Sequence, residues 1–123
     1  MTDLRGRARF VDHRGKRIYL IDASGLTADE VAKLADQVAA DVRSQPPASV
    51  MTITHVKDAQ IDRKMMEKVR WLADGNKPFV KAACVTGLGP IQKFIFNTVR
   101  IVTRRDFQLF DTVEEAKDHL AKL

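Results

Sequence analysis

At 123 residues, 45% hydrophobic and 30% charged, the chain has the size of one domain. That leaves no room for separate catalytic and substrate lobes, and the composition excludes collagen-like repeats and full disorder. Its 21 basic against 16 acidic residues give a net charge of +5, modest for a dedicated nucleic-acid binder. No apolar run reaches the roughly 18 residues of a membrane span, and the stretch from Met1 to Arg17 is basic and broken by charges, unlike a secretion signal. One cytoplasmic domain over residues 1–123 is expected.

Arg7–Asp12 and Arg17–Asp22 are short apolar or alternating runs joined by His13-Arg14-Gly15-Lys16, a polar link whose glycine supplies positive φ. This pattern predicts a β-hairpin. Thr27 then stands as an N-cap, with Glu30 completing a capping box and Leu26 against Val31 as a hydrophobic staple. Val31, Leu34, Ala35, Val38 and Val42 recur at helical spacing until Ser44-Gln45-Pro46-Pro47, where proline removes the amide donor and ends the helix.

Ser49–Val56 is apolar on both faces and predicts a strand covered on both sides, hence central in its sheet. Asp62 caps a second helix with Met65, Val69 and Leu72 as its inner stripe and Gly75-Asn76 as a left-handed C-cap. Phe79–Val85 is the next strand, with Cys84 as a small buried hydrophobe. Pro90 opens a third helix whose Ile91, Phe94, Ile95, Thr98, Val99 and Val102 are expected to face inward. Phe107–Phe110 is a short last strand, and Asp111 or Thr112 caps a final helix that buries Val113, Ala116 and Leu120. The order ββαβαβαβα predicts an α/β fold, a mixed, mostly parallel sheet of about five strands with four helices and right-handed crossovers.

These pieces in this order resemble the STAS superfamily, the anti-sigma-factor-antagonist-like domains, and in particular its small bacterial STAS/SEC14-like single-domain proteins. The likeness covers nearly the whole chain. It rests on Arg17–Asp22 followed by Ser24-Gly25, on Ser49–Thr54, on Asn76–Lys81 with Val85-Thr86-Gly87, and on Phe110–Ala116 ending in Leu120. Partner-switching members of that superfamily carry an Asp-Ser-Ser-Gly motif after the central strand, where a kinase phosphorylates the serine. Here the slot reads Asp62-Arg63-Lys64-Met65: the aspartate is kept, the hydroxyls are gone and two cations replace them. The resemblance therefore implies a binding module without that phosphorylation switch.

In a parallel sheet the carboxyl-end loops share one edge, so Asp22, Ser24, His55, Lys57, Asp58, Thr86 and Gly87 are the candidate ligand-binding residues. Thr86-Gly87-Leu88-Gly89 ahead of a helix could offer amides to an anion, although it lacks the complete dinucleotide or lysine-ended phosphate fingerprint. Ser24 and His55 could be drawn into a hydrolase, but Ser24 has no Gly-x-Ser-x-Gly elbow, so no catalytic residue is assigned. A single cysteine and scattered histidines offer no metal site, and no cofactor is expected. His13 and His119 read as exposed surface residues.

Two aromatics fall off the predicted inner stripes: Trp71 beside Lys64 and Lys68, and Phe96 beside Lys93 and Arg100. Rings flanked by cations are typical anchors for a protein or an anionic membrane surface, and these six residues are the candidate partner-binding set. From Gly75 to Arg105 there are six bases and no acid, while Arg5, Arg7, Arg9, Arg14, Lys16 and Arg17 crowd the first segment. No aromatic stacking strip for RNA accompanies them. The expected function is a non-enzymatic regulatory or scaffold module acting through protein contacts, with a homodimer as one form. The alternative is a module for a small anionic metabolite or lipid headgroup, a domain of this size being expected to be too small to enclose an acyl chain.

Overall fold

The computed structural model describes residues 4, 6–60, 62–103 and 107–123, with side chains except at positions 95, 99, 102 and 103. Arg5, Arg104 and Arg105 of the two basic stretches lie outside the described residues, as do the Ile95, Val99 and Val102 side chains of the expected inner stripe.

The first two strands, β1 (Ala8–His13) and β2 (Lys16–Asp22), form the hairpin. They pair antiparallel with Val11 opposite Ile18 and His13 opposite Lys16. Arg14 and Gly15 between them both take positive φ, 51° and 80°, the two-residue turn whose twist matches that of the flanking strands. The first helix, α1 (Ala28–Arg43), starts on the reciprocal capping box: the Glu30 amide donates to the Thr27 hydroxyl, and the Thr27 amide donates to the Glu30 carboxylate. Strand β3 (Val50–His55), helix α2 (Arg63–Asn76), strand β4 (Val80–Thr86), helix α3 (Pro90–Thr103), strand β5 (Gln108–Phe110) and helix α4 (Val113–Ala121) complete the chain. Asp62 and Thr112 cap α2 and α4 by accepting from the Met65 and Glu115 amides.

The sheet order is β1-β2-β3-β4-β5, every pair after the hairpin is parallel, and β3 is central. Because each right-handed crossover steps to the next strand in the same direction, α1, α2 and α3 share one face of the sheet. The other face is left to α4, where Ile18, Met51, Ile53 and Cys84 pack against Ala116 and Leu120. Burial pushes the Cys84 thiol up to about 11, so it behaves as an inert core residue. On the first face Tyr19, Ile21 and Val50 meet Leu34, Val38 and Val42, and the Tyr19 hydroxyl donates to Asp41 Oδ2 at 2.5 Å.

Three expectations need correction. Gly75-Asn76 is not a left-handed C-cap: α2 continues through both residues into a 3-10 turn at Lys77–Phe79, which delays β4 by one residue. Gly75 instead makes room for α1, since a Cβ there would collide with the Arg43 guanidinium, and Arg43 Nε donates to Asn76 Oδ1. His13 and His119 are both half-buried on the α4 side. His13 Nε2 lies 3.0 Å from Asp118 Oδ1, and the His119 ring lies 5.2 Å from that of Phe110.

The largest correction concerns α3, which is turned over. Ile91 and Phe94 are 77% and 73% exposed, Ile101 is 73% exposed and Thr98 is exposed as well, whereas Phe96 faces the sheet. The helix carries apolar residues on both sides, and the side that docks is the one whose partners exist. The Phe96 ring meets Phe107 edge-on at 6.3 Å, Lys93 reaches Asp111 at 2.9 Å, and Arg100 donates to the Phe107 carbonyl at 3.4 Å.

This orientation has a direct test in urea denaturation. Leu120→Ala, at a fully buried position, lowers the unfolding free energy by about 2–5 kcal/mol. Phe94→Ser changes it by less than about 0.5 kcal/mol, as expected of an exposed position. Equal losses in the two variants would put Phe94 in the core.

Candidate functional site

Among the described residues, two places with site-like shape stand out. The first is the carboxyl edge of the sheet. Asp22 pairs with His55 and His55 with Thr86 across adjacent strands, so the register brings the expected cluster together. Its chemistry is largely spent on holding the loops. The Ala23 amide donates to the His55 carbonyl at 2.8 Å, and the Gly25 amide to the Lys57 carbonyl at 2.9 Å. The Ser24 hydroxyl and amide both donate to Asp22 Oδ1, at 2.5 and 3.0 Å, and Arg7 Nη1 donates to the Ser24 carbonyl at 2.8 Å. Burial pushes the Asp22 carboxyl up. The two Ser24 hydrogen bonds, with the Arg7 and His55 charges, outweigh it and hold the group below its ordinary value.

Thr86 is fully buried, and its hydroxyl is hydrogen-bonded to His55 Nδ1 at 2.8 Å. Ser24 is thus engaged with Asp22 and His55 with Thr86, which is not the nucleophile-to-base contact a hydrolase requires. Gly87 has φ +81°, and a Cβ there would stand 2.8 Å from the His55 ring and 2.9 Å from the Lys57 amide nitrogen, so only glycine fits. A shallow hollow of about 370 Å³ remains, lined by His55, Lys57, Asp58, Gly87, Gln92 and Asp111 among others. Asp22, Ser24 and Thr86 lie outside its wall. The amide cradle expected ahead of α3 is partly filled from within, because the Gly89 amide already donates to Gln92 Oε1 at 2.9 Å.

The second place was not anticipated. Between the sheet and its three crossover helices lies a chamber of about 480 Å³. Its floor is Ile21 of β2, Thr52 and Thr54 of β3, and Ala83 and Val85 of β4. Val31, Leu34 and Val38 of α1 and Met65, Val69 and Leu72 of α2 form walls, and Phe96 and Phe107 close the far side. Small side chains leave the space: Thr52, Thr54 and Ala83 stand on the floor, and Ala35 and Ala73 on the helices. Protein interiors ordinarily leave few voids larger than a water molecule. Among the described residues α3 touches the body sparsely, whereas α2 lies along α1.

The candidate partner set is mostly engaged within the chain. Trp71 is 45% exposed but sits between two cations, Arg43 of α1 at 4.6 Å and Lys68 at 4.0 Å from its ring centre. Lys68 also pairs with Asp36 at 2.6 Å, so this group joins α1 to α2. Phe96, Lys93 and Arg100 face β5 and its flanks, as described above. Lys64 is exposed. The exposed apolar residues that sequence reasoning missed are Ile91, Phe94 and Ile101, which had been expected inside or left unassigned.

Among the described residues there is no group of three or more potential metal-ligating side chains, and no helix is long and apolar enough to cross a membrane.

No protein-family model matches the sequence, and no curated protein matches it. Among solved structures, an uncharacterized protein of the DUF3478 family with a SpoIIAA-like fold, from Shewanella loihica PV-4, superposes with a TM-score of 0.72. It is 11% identical in sequence, over 92% of this chain and 91% of that one. The chain has a SpoIIAA-like fold. This agrees with the STAS-type architecture that the sequence resemblance implied.

Within that SpoIIAA-like frame the acid response of the strand edge follows from Asp22. Its carboxyl is lowered by folding, so its contribution is fully present above the unfolded value of about 3.9 and is lost as pH falls through the folded one. Ser24→Ala removes the hydroxyl donor. Carbon-detected NMR titration of the Asp22 carboxyl then gives a midpoint shifted upward, and an unmoved midpoint would show that the serine does not hold the charge.

Proposed function

We propose that the protein is a non-enzymatic, cytoplasmic binding module that takes up a small, largely apolar molecule in the chamber under α2 and α3. The observation that carries this reading is the chamber itself. Its volume of about 480 Å³ lies within the roughly 300–1,000 Å³ of small-molecule sites, and its floor and walls are mainly aliphatic and aromatic. Walls of this composition favour apolar guests. Size was the argument against an enclosed apolar ligand, and the small side chains beneath α2 and α3 answer it. The reading is nearer to the SEC14-like alternative than to a module acting through protein contacts alone, and it moves the ligand from the Thr86-Gly87 turn to the middle of the sheet.

Ala83→Phe tests it by filling the floor. Naphthalene binding, followed by its fluorescence, weakens by about tenfold or more in the variant while the melting temperature stays level or rises. Unchanged affinity in a folded Ala83→Phe protein would remove the chamber as the binding site.

A second reading, contact with another copy of the chain through α3, is favoured by one specific observation. Ile91, Phe94 and Ile101 lie on one side of that helix and each is more than 70% exposed. Sedimentation equilibrium should then show a concentration-dependent dimer that Phe94→Ser with Ile101→Ser abolishes. A wild-type chain that stays monomeric at high concentration would overturn this second reading.

A further inference from the structure

The floor of the chamber holds two polar atoms that the fold does not use. Six threonines have described side chains, and four of them have a hydroxyl partner: Thr27 and Thr112 accept helix amides, Thr86 is bonded to His55, and Thr98 donates to the Phe94 carbonyl. Thr52 and Thr54 are the other two. Among the described residues neither hydroxyl has a hydrogen-bond partner within the protein, and neither is sealed off, since the buried unpartnered side-chain atom there is Arg43 Nη2. Both lie on the chamber side of β3, since the alternate residues Met51 and Ile53 pack against α4 on the opposite face. Thr52 is only 7% exposed as a residue, and it lines the chamber.

A guest that takes these hydroxyls out of water without offering a partner incurs a cost, and a guest that offers one avoids it. The charges around the chamber say what kind of guest this is. Among the described residues all of them are on α2, where they stand in pairs of opposite sign, Arg63 with Glu67 at 3.8 Å and Arg70 with Asp74 at 3.9 Å. Among the described residues the sheet and α1 walls contribute no charged side chain, and the Cys84 thiol on the sheet is held protonated by burial. Among the described residues no cation stands on the floor, so a carboxylate or phosphate seated there would be desolvated without one. A neutral hydroxyl or carbonyl would meet two hydroxyls, each able to donate and to accept.

We propose that the chamber selects a neutral ligand, an apolar body bearing one hydroxyl or carbonyl group, by seating that group on Thr52 with Thr54 beside it. This rests on the chamber being a binding site, as argued in the preceding section. The selection is for polarity at one point, with the surrounding shape supplied by aliphatic walls.

Three rigid probes of one shape test it: naphthalene, 2-naphthol and the 2-naphthoate anion, each titrated against the wild type and Thr52→Val. Valine keeps the shape of threonine and removes only the hydroxyl. The ratio of naphthol to naphthalene affinity is expected to fall about fivefold in Thr52→Val, the worth of one neutral hydrogen bond, and naphthoate is expected to bind weakest to both proteins. In the absence of ligand, Thr52→Val is expected to melt close to the wild type, because the hydroxyl it removes has no partner within the protein. A naphthol-to-naphthalene ratio unchanged by the substitution would overturn the seat while leaving the chamber intact, as would a ligand-free variant that melts markedly lower. Failure of all three probes to bind the wild type would overturn the chamber reading and the seat with it.

Discussion

The arrangement depends on one topological constraint. Strands β2 to β5 follow one another across the sheet in sequence order, so right-handed crossovers place three helices on a single face and leave the opposite face to α4. The two faces are packed in different ways. Under α4 the sheet presents Ile18, Met51 and Ile53, which fill the interface with Leu120. Under α2 and α3 it presents Thr52, Thr54 and Ala83, which are too small to reach the helices above them. The chamber is thus a property of side-chain size at alternate strand positions, and β3 carries both the closed core and the open one.

The helices over the chamber are held unequally. α1 is fixed by its capping box, by the Tyr19–Asp41 hydrogen bond and by a continuous apolar stripe. α2 is tied to α1 through Arg43, Asn76, Trp71, Lys68 and Asp36, a polar and cation–aromatic seam at the surface. α3 depends on Phe96 against Phe107 and on polar links at Lys93 and Arg100, while its outer side exposes Ile91, Phe94 and Ile101. A guest between sheet and helices would add apolar contact where the fold supplies least. Binding and the packing of α2 and α3 are therefore expected to be linked.

The strand edge shows how a convergence of reactive residue types can be structural. Asp22, Ser24, His55 and Thr86 meet there, yet each is consumed in closing the loops: Ser24 on Asp22, Thr86 on His55, and Gly87 packed against both His55 and the Lys57 amide. Residue type brought them onto a list of candidates, and hydrogen-bond geometry assigned them their work.

Much of the fold was legible from local signals, because each depends on residues within a few positions of one another. The Arg14-Gly15 turn, the Thr27, Asp62 and Thr112 caps, and the alternation of strands with single helices all act at short range, and together they dictate a mixed, mostly parallel sheet with β3 at its centre. Gly75 shows the limit, since its purpose is the close approach of Arg43 from another helix and nothing adjacent in sequence records that. The facing of α3 could not be read from periodicity, because the helix is apolar on two sides and the choice was made by Phe107 and Asp111 beyond its end. The chamber was hidden for the same reason. Thr52 and Thr54 at alternate positions were the available trace of it, but an empty volume belongs to no single segment and exists only once sheet and helices are set at their distances.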